Sequence, residues 1–406
     1  MITLLLALGI VQADAAEVTA NRPRMSVEPA EFTLDGANES WQLLVTTQLA
    51  SGQTQDITHL ATYTARDPQL ASVTNSGRVR SIANGQTNIT IQWQGESITT
   101  VAKIVRADHE RPLNFENDIE PLLSRFSCNA SGCHGKAEGQ NGFKLSVFGF
   151  DPGADYRAIT MEARGRRVFP AAPENSLLLM KASGLRPHGG GVRIPPDRPE
   201  YATLLRWIAS GMPVGNATDP QVVKIELSPT ERRLAIGGTQ QLRVVAAYSD
   251  GARRDVTMLA RFQSNNEGLA SVDEHGQVTV GTSPGVVAVM ASFQGQVAVF
   301  QAIIPRTEPL ASTTPIVEHN FIDQHVYRRL HQLNIAPAEL CTDAEYLRRV
   351  YLDLIGTLPT ANETRAFLAD ARPNRRAALA DELFKRTEFA DYWALKFADL
   401  LRVDRA

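Results

Sequence analysis

The stretch Ser51-Gly52-Gln53-Thr54-Gln55-Asp56-Ile57-Thr58, followed by Leu70-Ala71-Ser72-Val73 and Gly77-Arg78-Val79, returns downstream. Its second version is Asp250-Gly251-Ala252-Arg253-Arg254-Asp255-Val256-Thr257, then Leu269-Ala270-Ser271-Val272 and Gly276-Gln277-Val278. The offset is 199 (Thr58 to Thr257, Ser72 to Ser271, Gly77 to Gly276) and becomes 200 at Gly95 and Gly295, where one residue has been gained. Self-similarity at a fixed offset marks a duplicated domain. Each copy carries β-rich runs, Leu43–Thr47 and Ile89–Trp93 in the first, Leu242–Ala246 and Val286–Met290 in the second. Gly, Asn and Asp turn signals divide them at short intervals, the spacing of a small sandwich.

Both copies resemble the bacterial immunoglobulin-like group 2 domain in their Asp-Ile/Val-Thr strand start, Leu-Ala-Ser-Val stretch and Gly-x-Val turn. The resemblance covers residues 25–106 and 221–305 and implies two all-β Ig-like sandwiches. Neither copy contains a metal-ligand cluster or a nucleophile, so the role implied is spacing or adhesion at a cell surface.

Composition narrows the function classes. Of 406 residues, 43% are hydrophobic and 21% charged, which excludes a disordered polymer. With 41 Lys and Arg against 44 Asp and Glu, the net charge of -3 gives no reason to expect nucleic acid as a partner. Three cysteines are too few for a disulfide-built scaffold. The N-terminus, Met1-Ile2-Thr3-Leu4-Leu5-Leu6-Ala7-Leu8-Gly9-Ile10-Val11 followed by Ala13-Asp14-Ala15, has the apolar run and small-residue cleavage site of a signal peptide over residues 1–16. Neither this run nor any later one is long enough to span a bilayer, so the mature chain is expected in the periplasm, on the cell surface or secreted, with no membrane span.

The insertion between the repeats, residues 107–217, has a different texture. Phe115, Ile119, Leu122, Leu123 and Phe126 recur at helical spacing, and Tyr201, Leu204, Leu205 and Ile208 form a second helical face with Trp207 beside it. Asp197-Arg198-Pro199-Glu200 reads as a capping box for that second helix. Directly after the first helix stands Cys128-Asn129-Ala130-Ser131-Gly132-Cys133-His134. Two thiols and an adjacent histidine suit three structures. One is a Cys128–Cys133 disulfide in an exported protein. Another is a zinc site, which lacks a further ligand pair. The third is covalent haem, with both cysteines in thioether bonds and His134 as axial iron ligand. The usual haem spacing is C-x-x-C-H, two residues shorter.

The insertion from Phe115 to Pro213 resembles the planctomycete-type cytochrome c domain. The carrying residues are Phe115–Ile119, Cys128-Asn129 with Cys133-His134-Gly135, Gly139–Ser146, Phe148–Pro152, Gly165-Arg166-Arg167, Pro173–Leu178, Pro187–Gly191 and Leu204–Ile208. The resemblance implies a small all-α cytochrome c-like domain carrying haem c on Cys128, Cys133 and His134. Relatives often place a methionine before a Pro-Pro pair; here Ile194 precedes Pro195-Pro196. The distal ligand expected instead is His188 in its glycine-rich loop, ahead of Met161, Met180 and Met212. Arg164, Arg166, Arg167 and Lys181 are candidate counterions for propionates.

From Pro315 the sequence turns helical, with Phe321, Val326, Leu330 and Leu333 spaced along a first segment. Capping boxes at Thr342–Glu345 and Thr360–Glu363 open later helices. Leu347, Val350, Tyr351 and Leu354 form one apolar stripe, and a last helix carries Trp393, Phe397, Leu400 and Leu401. Cys341 is expected as a small buried residue, and Arg349 and Asp353 as an ion pair at i, i+4. His319, His325 and His331 are not spaced to share one helix face. Residues 316–406 resemble the N-terminal part of a planctomycete helical domain of unknown function, through Leu347–Gly356, Leu358–Thr360, Phe389–Trp393 and Asp399–Arg402. That family's chains continue further, which implies truncation here and a missing domain.

The sequence therefore describes a multidomain protein: two all-β Ig-like sandwiches, one small all-α cytochrome c-like domain between them and an α-helical C-terminal segment. The expected function is one-electron transfer by an exported c-type haem protein, toward a redox partner or a missing domain. The alternatives are a haem-free surface adhesion or structural protein with a Cys128–Cys133 disulfide, or part of a haem-dependent oxidoreductase acting on carbohydrate-like substrates.

Overall fold

The computed structural model describes residues 24–308 and 317–403. The signal peptide expected over residues 1–16 lies outside the described residues. The chain divides into two compact units, the second beginning at Ala336.

In the first repeat, Arg24–Glu28, Leu44–Gln48 and Thr54–Asp56 form a three-stranded sheet. Facing it, Glu31–Asp35, Glu96–Val105, Gly85–Trp93 and Thr62–Ala65 form a four-stranded sheet in that order. Ser40–Gln42, Arg78–Ser81 and Ala71–Val73 add a short third sheet. Inward side chains alternate along the strands, so Phe32, Leu34, Val45, Val79, Ile89, Ile91, Ala102 and Ile104 close a single core. The second repeat reproduces this order strand for strand from Val222–Ser228 to Gln296–Ile304. In both copies one pair in the larger sheet is parallel, Glu96–Val105 on Glu31–Asp35 and Gln296–Ile304 on Glu231–Arg233.

The strands Leu44–Gln48 and Arg243–Tyr248 break the alternation. Leu44 and Arg243 point away from their own cores yet are buried. The reason is that the repeats pack on each other. The Gln42 amide donates to Asp255 Oδ2 at 2.6 Å, and the Gln241 amide donates to Asp56 Oδ2 at 2.5 Å. His59 Nε2 adds a 2.8 Å bond to Gln241 Oε1, and Arg243 Nη1 donates to the Glu28 carbonyl.

The insertion folds as short helices with long turns. Phe115–Ile119 is a wide π-type turn, capped by the Asn114 side chain accepting from the Asn117 amide, and Glu120–Arg125 continues it as α-helix. Pro152–Thr160, Leu177–Ala182 and Pro199–Ala209 follow. Phe115, Ile119, Leu122, Leu123, Leu204, Trp207 and Ile208 join one core. Trp207 lies at the centre of this core rather than beside it, fully buried, with its indole N–H donating to the Pro213 carbonyl at 3.0 Å. The capping box expected at Asp197–Glu200 does not form. The N-cap is Arg198, with no side-chain cap, because Glu200 is buried toward Arg125 while the Arg198 guanidinium pairs with Glu274 of the second repeat.

The helix Phe321–Gln332 belongs to the first unit, and none of its residues is buried. In the second unit, Asp343–Ile355, Ala361–Ala369, Arg375–Leu383 and Thr387–Leu400 are helices. Both expected capping boxes are present, Thr342 with Glu345 and Thr360 with Glu363. Leu347, Tyr351, Ile355, Phe367 and Leu383 are the core, with Val350 and Leu354 at its edge. Two expectations for this unit are corrected. Arg349 and Asp353 do not pair; among the described residues the ion pairs of this region run from Asp343 to Arg375 and Arg376, from Arg372 to Asp370 and from Arg386 to Glu363 and Glu388. Cys341 is half-exposed, because it precedes the Thr342 cap and only its carbonyl is engaged, by Arg376. The expected last helix is present; along it Phe397 and Leu400 stay mostly exposed, and Leu401 falls at its C-cap.

Candidate functional site

A cavity of about 760 Å³ opens within the insertion, and Cys128, Cys133, His134 and His188 all line it. Leu123, Phe143, Leu145, Leu178, Ile194 and Leu204 supply its apolar wall, and Arg166, Arg167, Lys181 and Arg193 its charges. Large apolar cavities with a few convergent polar groups are the usual form of a cofactor site.

The cysteine turn is closed by its own backbone. Cys128 N donates to the Leu123 carbonyl, ending the helix, and His134 N returns to the Cys128 carbonyl at 3.0 Å. Cys133 N and Gly135 N both bond the Ala130 carbonyl. Gly135 is required: a Cβ there would lie 2.2 Å from the Asn129 carbonyl oxygen. The longer Cys-to-Cys spacing is thus taken up in a compact turn that returns His134 to the level of Cys128. Both cysteines are free thiols, as is Cys341. Burial pushes the Cys128 thiol up to about 12, which favours its protonated form.

Each histidine is fixed through one nitrogen. His134 Nδ1 lies 2.9 Å from the Phe143 carbonyl, and His188 Nδ1 lies 2.9 Å from the Gly191 carbonyl. A carbonyl oxygen only accepts, so each Nδ1 carries the proton and each Nε2 keeps a lone pair when the ring is neutral. Burial, with further contributions from His188, Arg167 and Lys181, holds His134 below the ordinary imidazole range, against the opposing pull of the Phe143 bond. The two ring centroids are 6.2 Å apart and the planes lie within 10° of each other.

Beneath the turn lies a second polar group. Asn129 Nδ2 donates to Glu120 Oε1 at 2.9 Å and to Ser124 Oγ at 2.8 Å. Burial, and then the nearby Asp155 carboxylate, raises Glu120 well above the usual carboxylate range. Asp155 accepts from the amide and hydroxyl of Ser146, both at 2.6 Å.

The structure brings together residues the sequence only suggested. His188 sits on the same cavity as Cys128, Cys133 and His134, whereas Met161, Met180 and Met212 do not line it. Met161 is mostly exposed, and Met212, partly buried, packs against the core with its carbonyl held by the Tyr156 hydroxyl. Arg166 and Lys181 line the cavity, but Arg164 does not. Arg193 and the two anchoring carbonyls, of Phe143 and Gly191, escaped sequence reading. Backbone acceptors carry no residue-type signal, and Arg193 is marked by neither motif nor spacing. Among the described residues no three His, Cys, Asp or Glu side chains converge as a metal cluster, so the zinc alternative has no ligand set.

Comparison with known proteins gives partial matches. Residues 321–406 match the family PSCyt2, described as a protein of unknown function (DUF1549). Among curated proteins, the chain is 35% identical over 81 residues to "Ice-binding protein 1" of Shewanella frigidimarina (strain NCIMB 400), an alignment covering 20% of this chain and 9% of that protein. The chain thus spans less than a tenth of that relative's length. Among solved structures, the S-layer protein SbsC, domains 5–6, has 11% identity over 71% of this chain and all of that one, with a TM-score of 0.29. Human protocadherin-24 EC1-2 has 7% identity over 70% of this chain and 99% of that one, with a TM-score of 0.16. The chain's own strands and helices give multiple β-sheet domains and a C-terminal helical segment, and that segment is the part that resembles PSCyt2. Among the described residues no helix is long and apolar enough to cross a membrane.

Proposed function

We propose that the insertion is a cytochrome c-like domain of an exported or surface protein, holding haem c and passing single electrons, with the two sandwiches as spacer or adhesion modules. One observation carries this reading. His134 and His188, each with Nδ1 bound to a carbonyl, face one cavity at a centroid separation of 6.2 Å beside both Cys128 and Cys133. Both Nε2 lone pairs would be available to hold an iron in that cavity. The apolar wall and cationic rim also suit a porphyrin with carboxylate substituents.

In this reading Cys128 and Cys133 would hold the porphyrin covalently, and His134 and His188 would ligate the iron. When bound, the group supplies a reversible one-electron couple. The protein's part is to fix both imidazoles in the Nδ1–H tautomer, exclude water with Leu123, Leu145, Ile194 and Leu204, and offset negative charge with Arg166, Lys181 and Arg193. Among the described residues no methionine lines the cavity, which supports a lower potential than a Met-ligated haem would have. The partner would be a separate redox protein or a further domain.

The test is production in a host with covalent haem-attachment machinery, followed by haem staining after denaturation. A stained band at holoprotein mass is expected, lost in Cys133→Ala. A colourless chain at apoprotein mass would sink the proposal and favour the haem-free surface protein, for which a Cys128–Cys133 disulfide would then be sought by thiol counting.

A further inference from the structure

Arg167 differs from its neighbours. Arg164 and Arg166 are exposed, while Arg167 is buried. A run of left-handed backbone at Ala163, Arg164 and Gly165 turns the chain before it. Its guanidinium then bridges two segments: Nη1 donates to the Ala158 carbonyl at 2.5 Å, and Nη2 donates to the Gly142 carbonyl at 2.7 Å. The same group lies 4.4 Å from the centroid of the Phe143 ring. Its nearest carboxylate, Glu162, is exposed and 3.7 Å away. A buried guanidinium of this kind is held by its fork and its stacking, for which lysine is no substitute.

Those contacts converge on one residue. Phe143 closes the tight turn Gln140–Phe143, where each residue's amide bonds the other's carbonyl. The Phe143 carbonyl also accepts from His134 Nδ1 at 2.9 Å, and its ring packs 4.5 Å from the His134 imidazole. Arg167 therefore holds the peptide before Phe143 by hydrogen bond and the Phe143 ring by stacking. Both the tautomer and the tilt of His134 are set from that residue.

We infer that Arg167 is a positioning residue for His134, acting through Phe143, and not a counterion for a propionate. One N–H of each Nη is given to a carbonyl, and its charge lies over an aromatic ring. The inference deepens the haem reading and rests on it for the meaning of "ligand", but the positioning itself is testable without haem. Partners that orient a metal-binding histidine through its second nitrogen fix the tautomer and raise its donor strength.

The test uses the full chain in two forms. In haem-free Cys128→Ala/Cys133→Ala protein, nitrogen-detected NMR reads the His134 tautomer and the exchange rate of its Nδ1 proton. Arg167→Lys keeps the charge but loses the double bridge and the stack; it is expected to speed that exchange and to mix the tautomers. Phe143→Leu, which keeps the carbonyl but removes the platform, should move the same signals in the same direction. It also serves if Arg167→Lys folds poorly. Arg164→Ala should leave them unchanged. In haem-loaded protein, Arg167→Lys should shift the midpoint potential without loss of attachment. Unchanged tautomer and exchange in both Arg167→Lys and Phe143→Leu would overturn the inference. A wild-type chain that never takes haem would instead sink the proposed function, while the NMR outcome for Arg167 would still decide the positioning role.

Discussion

The backbone amide of Gln42 donates to the carboxylate of Asp255 at 2.6 Å, across the boundary between the two repeats. Its counterpart runs from Gln241 to Asp56, and each of these residues lies 199 positions from its equivalent. If residue i of one copy contacts j of the other, then j of the first contacts i of the second, the rule of a two-fold interface. Each aspartate is itself oriented by a threonine two residues on, Thr58 for Asp56 and Thr257 for Asp255. The duplication therefore built a pseudo-symmetric pair inside one chain, and the insertion interrupts the sequence without separating the copies.

That pairing predicts a stability effect. Asp255→Ala leaves the Gln42 amide without its partner at a buried position and should cost about 1–3 kcal/mol. Asp56→Ala should cost a similar amount for the same reason. Urea unfolding of the two single variants and the double variant measures both effects and their coupling. A neutral Asp255→Ala would show that the repeats are not held by this bond.

Glu120 predicts a pH dependence of definite sign. Burial and Asp155 raise its folded pKa. Its contribution to stability is then fully present below the unfolded value of about 4.3, and it is lost as pH rises through the raised folded value. Glu120→Gln removes the ionisation at nearly the same shape. The variant should equal or exceed the native chain in stability at pH 7, with the gap closing toward pH 4. Thermal unfolding across that range decides; a native chain that gains on the variant as pH rises contradicts the assignment.

Gly135 predicts a steric effect at the cysteine turn. Alanine there would place Cβ 2.2 Å from the Asn129 oxygen, with backbone atoms of Ala130 also inside 3.0 Å. Overpacking of this kind costs about 1–3 kcal/mol. Gly135→Ala should therefore displace Cys133 and His134 and reduce covalent haem loading, read as the ratio of holoprotein to apoprotein mass. Full loading would mean that the turn is not what sets the attachment geometry.

The role proposed for His188 gives a spectroscopic prediction. His188→Ala should change the reduced visible spectrum of the loaded protein, and His188→Met should raise its midpoint potential, since methionine ligation does so in cytochromes c. An unaltered spectrum and potential in both variants would remove His188 from the iron.

What was legible in the sequence was what short-range chemistry encodes. The duplication stood in the offset of Leu70–Val73 and Leu269–Val272, and both copies folded alike. The Thr342–Glu345 and Thr360–Glu363 boxes formed because hydroxyl, amide and carboxylate meet within one turn of backbone. The Asp197–Glu200 box, similar in residue pattern, failed because tertiary partners claimed Glu200 and Arg198. Arg349 and Asp353 had the right spacing as well, but spacing alone cannot hold an exposed pair together against hydration.

By itself, then, the sequence determined the two β-rich copies, the helical texture of the insertion and tail, and the cluster Cys128, Cys133 and His134, all fixed by neighbours along the chain. Only the tertiary structure decided that His188 faces His134, that Arg167 turns inward to Phe143, and that Gln42 meets Asp255. Those relationships depend on which surfaces exclude water from each other and on carbonyls whose identity no side chain reveals, so they exist only once distant segments have packed.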